Sequence, residues 1–153
     1  MSIEAKLAEL GIELPAPRAP AFSYVAVAVH HDLAWVSGQL PWMPDGSLPR
    51  GKLGAGIDVA AGKLIARQCV LNGLAVLKHS LGSLDQIDRV VKLTGFVNSA
   101  PGFVDQPAVV DGASQCLLEI FGEVGRHARS AVGMAELPRG VPVEVEFVAA
   151  LKR

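Results

Sequence analysis

The chain has 153 residues, of which 50% are apolar and 19% are charged. This length predicts a single domain, and this balance excludes a disordered chain, because the apolar residues suffice for a buried core. Lys and Arg number 14 and Asp and Glu number 15, which gives a formal net charge of −1. That charge argues against a protein that binds nucleic acid through bulk positive charge.

The cysteine and histidine content argues against a metal centre or a disulfide framework. Cys69 and Cys116 are too few and too far apart for either, and we expect both to be small buried side chains of helices. The four histidines are dispersed, so we expect no metal site. The first residues lack the pattern of a secretory signal, and no apolar run approaches the length of a membrane span. We therefore expect a cytoplasmic protein without a membrane partner.

The first half of the chain predicts an N-terminal arm and a pair of strands. Residues 1–20 are expected to form a short helix capped by Ser2 and then an extended Pro-rich arm, and residues 21–153 the folded domain. β-branched and aromatic residues alternating with alanine predict a strand over 22–29, and a turn leads into a second strand over 33–37. A long loop rich in proline and glycine follows over residues 41–56.

The second half predicts two long helices and three strands. Asp58 opens a helical pattern that ends at Gly82, and a second helix is expected over residues 108–121. The expected strands cover residues 87–98, 128–137 and 143–151. The order β-β-α-β-α-β-β predicts an α+β domain with a mostly antiparallel sheet and both long helices on one face.

The first and last strands are apolar or small on both faces. Val25, Val27 and Val29 alternate with alanines in the first strand, and the last strand shows the same two-sided character. A sheet that is apolar on both faces must be covered on both. Because two helices cover only one face, we expect the other face to meet a second copy of the chain, which makes the protein a homo-oligomer.

Arg129 is the residue whose setting most suggests a binding site. On a strand it shares its face with Ala131, Gly133 and Ala135, so that a guanidinium group stands above a floor of small residues. Such a floor leaves room for a ligand, and a guanidinium group suits a carboxylate. The alternative is a structural ion pair with a glutamate of a neighbouring strand, and spacing alone favours that pair.

Glu144 and Glu146 form a second candidate, since both lie on one face of the last strand. Two neighbouring carboxylates can supply a general base, because like charges raise the pKa of one of them. The alternative is a solvated or arginine-paired strand edge. The pair alone decides nothing between the two.

Two blocks of this sequence resemble the RidA/YjgF family, also called the L-PSP endoribonuclease family. The letters ARSAV at 128–132, LP at 137–138 and VEVE at 143–146 follow one another at the family's spacing. The letters SYV at 23–25 and VSGQLP at 36–41 are similar to a second block of the family. The order of helices and strands agrees over about residues 20 to 151.

The resemblance implies a homotrimer of chorismate-mutase-like subunits, with the sheets packed into a central barrel and the helices outside. Active members of the family are imine deaminases that hydrolyse 2-aminoacrylate and related imines to 2-oxo acids and ammonia. Their sites lie in clefts between subunits and need no cofactor. By position, Arg129 would hold the substrate carboxylate and Glu144 would orient or activate the water, while Tyr24 and Ser37 would line the pocket.

The chain departs from the family pattern within this pocket. The family commonly has a cysteine where this chain has Ala131. A pocket asparagine of the second helix corresponds to Asp111 or to Ser114, depending on the alignment of a loop, and an aspartate would repel a carboxylate. The ligand of this chain can therefore differ even where Arg129 still binds an acid.

Three functions follow from these observations. The first is an enamine or imine deaminase acting on small carboxylated imines, supported by Arg129 and Glu144 together. The second is a non-catalytic trimer that binds small carboxylates and regulates a partner, for which Arg129 suffices. The third is an endoribonuclease or translation inhibitor, against which the near-neutral charge and the absence of a basic, aromatic stripe count.

Overall fold

Seven strands and three α-helices make up the fold in the computed structural model, which describes residues 1–153. The elements in chain order are α1 Ile3–Glu9, β1 Val27–His30, β2 Leu33–Gln39, β3 Lys52–Leu53, β4 Gly56–Ile57, α2 Val59–Leu81, β5 Ile87–Asn98, α3 Gln106–Phe121, β6 Ala128–Met134 and β7 Val143–Leu151. The ends of α2 are those that the sequence predicts. The Asp58 side chain accepts a hydrogen bond from the main-chain N–H of Ala61, and Gly82 ends the helix in the left-handed conformation.

Five strands form one sheet in the order β1-β2-β7-β5-β6, and β3 and β4 pair separately within the long loop. Three of the four pairings in the main sheet are antiparallel, and β5 with β6 is the parallel one. The predicted α+β class, with a mostly antiparallel sheet, is therefore confirmed. In this chain β1 and β6 are the edge strands, and Arg129 lies on β6.

The core lies between one face of the sheet and helices α2 and α3. Leu74, Leu117, Leu93 and Phe147 are fully buried there, one from each of the elements α2, α3, β5 and β7. The two helices approach each other closely, because a Cβ atom at Gly112 would overlap the main chain of Lys63. This contact fixes α3 against α2 and so fixes the side chains that α3 presents to β6.

The face of the sheet opposite the helices carries several large apolar side chains. Trp35 is 53% exposed and Val132 is 41% exposed, and the partly buried Phe96 and Val148 lie beside them in register. We call this surface the open face. An exposed apolar surface on a sheet is typical of a contact with another protein surface.

Two predicted strands are shorter in the structure. β1 begins at Val27 and not at residue 22, because a hydrogen bond from the N–H of Tyr24 to the carbonyl of Phe22 bends the chain there. β6 ends at Met134 and not at residue 137, because β5, its only partner, ends at Asn98 opposite Met134.

Helix α2 has the length and composition of a membrane span, but half of the relevant 18-residue window is buried inside the domain. Cys69 of α2 and Cys116 of α3 are both buried free thiols, as the sequence predicts. Helix α2 is thus a core helix by its packing.

Candidate functional site

Arg129 points from β6 towards helix α3. Its Nη1 donates to the Ser114 hydroxyl at 3.2 Å and its Nη2 donates to the Pro107 carbonyl at 3.2 Å. Its side chain stays 25% exposed, so a guanidinium group held in place still reaches solvent. Ala131 follows on the same face of β6, opposite Gly95 of β5, but the side chain of Val110 on α3 packs directly against Gly95. The small residues predicted to leave room for a ligand are therefore covered by the helix at this point.

The alternative of an ion pair between Arg129 and a glutamate of a neighbouring strand is wrong. The carboxylate near Arg129 is Asp111 of α3, whose Oδ1 lies 3.9 Å from Nη1. Strand β5 separates β6 from β7, and Arg129 aligns through Leu93 with Phe147 on the buried face. Since side chains alternate along a strand, Glu144 and Glu146 lie on the other face.

Asp111 does not neutralise the positive charge around Arg129. Lys63 Nζ also lies 3.9 Å from Asp111, at Oδ2, and that oxygen accepts a hydrogen bond from Gln115 at 2.8 Å. Two cations therefore share one carboxylate, which leaves a net positive charge at the site. Both residues that the resemblance offered for the pocket asparagine, Asp111 and Ser114, lie beside Arg129.

His127 orients Arg129 through Ser114. His127 Nδ1 lies 2.6 Å from the Gly125 carbonyl and Nε2 lies 3.0 Å from Ser114 Oγ. Burial lowers the pKa of His127 and the charge of Arg129 lowers it further, against the hydrogen bond to Gly125. The network assigns the proton of the neutral ring to Nδ1, so that Ser114 donates to Nε2 and accepts from Arg129.

Sequence reasoning does not assign this role to His127, because the dispersed histidines indicate no site by their spacing. The signal available in the sequence was the spacing His127-x-Arg129 at the start of a strand, which places both side chains on one side of the chain. The partner Ser114 comes from α3, and the sequence alone does not show that contact.

Glu144 lies in a separate cavity of about 370 Å³, which Tyr24, Gly38 and Leu40 also line. Its pKa is raised above the ordinary value, first by burial and second by the charge of Glu146. A carboxylate of this kind is a stronger base than an exposed one. The structure thus brings Tyr24 and Glu144 together, as the resemblance implies.

Ser37 lies near this cavity without lining it. Its hydroxyl donates to the Val25 carbonyl at 2.7 Å, and its N–H donates to the Ala26 carbonyl at 2.9 Å. These bonds hold the segment that carries Tyr24 against β2. The structure therefore places Ser37 as a support for Tyr24.

The predicted site residues form two groups on opposite faces of the sheet. Arg129, Ala131, Asp111 and Ser114 lie on the helix side, and Tyr24 and Glu144 lie on the other. No three His, Cys, Asp or Glu side chains converge in a geometry that could hold a metal ion. Within one chain, the carboxylate anchor and the candidate base do not share a cleft.

Known proteins resemble this chain over nearly its whole length. Protein TCP17 of Trypanosoma cruzi is 47% identical over 150 residues, which cover 97% of this chain and 94% of that protein. The crystal structure of a Shewanella oneidensis protein has a TM-score of 0.94 and 34% identity, and covers 99% of this chain and 100% of its own. That of an Agrobacterium tumefaciens protein of unknown function has a TM-score of 0.89 and 43% identity, and covers 98% of this chain and 92% of its own.

The family assignment rests on these relatives and on a family profile. The profile described as "YjgF/chorismate_mutase-like, putative endoribonuclease" matches residues 4–149. This match confirms the family that the ARSAV and SGQLP blocks indicate. The chain belongs to the YjgF/chorismate-mutase-like family.

Proposed function

We propose that the protein is an enamine or imine deaminase that hydrolyses small carboxylated imines to 2-oxo acids and ammonia. The observation that carries this proposal is the partly exposed Arg129 guanidinium, held by Ser114 and Pro107 beside a net positive charge. A fixed guanidinium group with free N–H donors is suited to a carboxylate. The carboxylate of Glu144 supplies the general base that hydrolysis also requires, because it can accept a proton from the attacking water.

The active site of the proposed enzyme forms between subunits of a homotrimer. Arg129 lies on an edge strand and Glu144 on the opposite face of the sheet, so a second chain is needed to bring them together. The apolar side chains of the open face, Trp35 and Val132 among them, support such an assembly, because burial removes them from water. In each cleft Arg129 of one subunit faces Tyr24 and Glu144 of its neighbour.

The reaction balances with these residues and one water molecule. The water oxygen adds to the imine carbon, the π electrons of the C=N bond move to nitrogen, and Glu144 accepts a proton from the water. That proton passes to nitrogen and gives the carbinolamine. The proton of its hydroxyl group then moves through Glu144 to nitrogen as the C–N bond breaks, so that ammonia leaves and the hydroxyl oxygen becomes the carbonyl of the 2-oxo acid. Arg129 holds the substrate carboxylate throughout, so that the imine carbon lies beside the water.

The test measures the release of 2-oxo acid from imines that an amino-acid oxidase generates in the assay. Wild-type protein accelerates release, and Arg129→Ala lowers kcat/KM roughly 10–150-fold through loss of a charge-assisted bond. Glu144→Gln keeps the shape of the side chain and removes the base, so kcat falls with little change in KM. Arg153→Ala and Glu123→Gln are the matched controls, since both residues are exposed and lie outside the site.

Other outcomes favour the other functions. A trimer that binds small 2-oxo acids through Arg129 but accelerates no imine would overturn the deaminase and favour a regulatory carboxylate-binding protein. RNA cleavage that weakens steeply between 50 and 200 mM salt would favour the endoribonuclease. The free, buried thiols of Cys69 and Cys116 support a cytoplasmic location for any of the three.

A further inference from the structure

The cavity beside Glu144 contains two arginines whose side chains form neither a hydrogen bond nor an ion pair within the chain. Arg18 and Arg139 line it together with Tyr24 and Glu144. Both guanidinium groups approach the indole ring of Trp42, whose centroid lies 3.8 Å from Arg18 Cζ and 5.8 Å from Arg139 Cζ. The ring attracts the two cations but accepts no conventional hydrogen bond from them. The N–H donors of both arginines therefore remain available to a ligand.

This arrangement is unusual among the eight arginines of the chain. Four of them lie within 4.0 Å of a carboxylate oxygen and one donates to a main-chain carbonyl; these are Arg67, Arg126, Arg129, Arg153 and Arg89. Arg18, Arg50 and Arg139 form neither an ion pair nor a hydrogen bond. Two of these three meet in one cavity, in which Glu144 is the only carboxylate. The lining therefore keeps a net positive charge whether or not Glu144 carries a proton.

The main chain at Arg139 adds a second, independent observation. Arg139 has φ 58° and ψ 12°, the left-handed conformation that favours glycine or asparagine. Hydrogen bonds from Gly140 N–H to Leu137 and from Val141 N–H to Pro138 close the turn around it. An arginine at a strained position in the wall of a cavity points to a role for its side chain.

We infer that this cavity binds a second carboxylate of the substrate, so that the enzyme acts on imines of acidic amino acids. The inference rests on the proposed function. Arg129 of a neighbouring subunit holds the carboxylate next to the imine carbon, and Glu144 accepts the proton of the water. Arg18 and Arg139 then bind the carboxylate at the far end of the substrate side chain through paired N–H donors. A neutral side chain leaves both arginines without a partner.

The experiment compares two imines generated in the assay, 2-iminoglutarate from glutamate and the imine of leucine. Wild-type protein has the higher kcat/KM for 2-iminoglutarate. Arg139→Asn, which suits the left-handed main chain, and Arg18→Gln each raise KM for 2-iminoglutarate on the order of tenfold, and lower kcat/KM for 2-iminoglutarate far more than for the leucine-derived imine. Arg139→Lys raises KM for 2-iminoglutarate less than Arg139→Asn does, because lysine keeps the positive charge. Arg50 is the third arginine without a hydrogen bond or an ion pair, and it lies outside the cavity. Arg50→Gln therefore serves as the control and changes neither reaction.

Three kinetic results would overturn the inference. Equal kcat/KM values for the two imines would do so, as would arginine variants that keep the wild-type KM for 2-iminoglutarate. An equal loss on both imines would assign the arginines to the carboxylate shared by all substrates. If no imine is hydrolysed, calorimetric binding of 2-oxoglutarate against 2-oxobutyrate separates the two proposals. If the protein prefers the dicarboxylate and Arg139→Asn abolishes this preference, the acidic subsite stands although the deaminase proposal fails. If the protein shows no such preference, the subsite is overturned.

Discussion

The carboxylate of Glu144 occupies the space that a side chain at position 38 would fill. A Cβ atom at Gly38 would overlap Glu144 Oε1. A β-bulge creates this proximity, because the three steps from Val36 to Gln39 on β2 face the two steps from Phe147 to Val145 on β7. Bulges beside active sites commonly redirect a side chain in this way. The glycine of the SGQLP block is thus required for its small size.

Gly38→Ala should displace Glu144 and lower kcat roughly 10–100-fold, since small displacements of a reacting group are costly. The added methyl group contacts the end of the flexible Glu144 side chain, which can move aside without a change in the main chain. The melting temperature should therefore shift by no more than about 2–4 °C. In a Glu144→Gln background the same substitution should add no further loss of activity. Full activity of Gly38→Ala would contradict this role of the glycine.

Glu144→Gln should stabilise the protein at neutral pH although it removes the proposed base. Burial and Glu146 raise the pKa of Glu144 in the folded chain. Below the pKa of about 4.3 in the unfolded chain, the carboxyl group is protonated in both states and the protein keeps its full stability. As pH rises through the higher pKa of the folded chain, ionisation of the buried carboxyl group lowers the free energy of unfolding. Thermal melts should therefore show the variant above wild type at pH 7, with the difference shrinking at pH 4. Glu123→Gln is the control, since it changes an exposed glutamate; a higher melting temperature for wild type at pH 7 would contradict the prediction.

His127 should make the protein less stable at acid pH. Its pKa is lowered in the folded chain, so the unfolded chain binds the proton more tightly. Stability is complete above the unfolded pKa of about 6.5 and falls as pH drops through the folded pKa. His127→Asn should flatten the decline in melting temperature between pH 7 and pH 5, whereas His31→Asn, at an exposed turn, should retain it. Parallel profiles for wild type and His127→Asn would show that His127 is not responsible.

The sequence predicts the elements of this fold well, because its periodic helices and strands have clear ends. Asp58 and Gly82 bound α2 as expected, since both act through local hydrogen bonds and main-chain conformation. The family resemblance offers Asp111 and Ser114 as neighbours of Arg129, but the residue pattern alone does not, because Ser114 reaches Arg129 only through the packing of α3 on β6. The sequence pattern also does not show the separation of Arg129 from Glu144. It depends on β5 lying between their strands, and strand order is a property of the whole sheet.

The proposed placement of Arg129 and Glu144 in different subunits of one site can be tested by mixing two variants of low activity. Arg129→Ala chains supply an intact Glu144, and Glu144→Gln chains supply an intact Arg129. When the two are unfolded together and reassembled in equal amounts, about one quarter of the clefts in random trimers contain both intact residues. Imine hydrolysis should therefore return to about one quarter of the wild-type level.

Two controls make this mixing experiment decisive. Each variant reassembled alone should keep only its own low activity, and each should have the mass of a trimer by light scattering. The mixture repeated in a Trp35→Glu background should remain monomeric and inactive, because a charge on the open face opposes its burial. If the residues acted within one chain, no mixture could contain a complete site, since every chain would lack one of them. Mixed trimers without activity would therefore exclude a site shared between subunits.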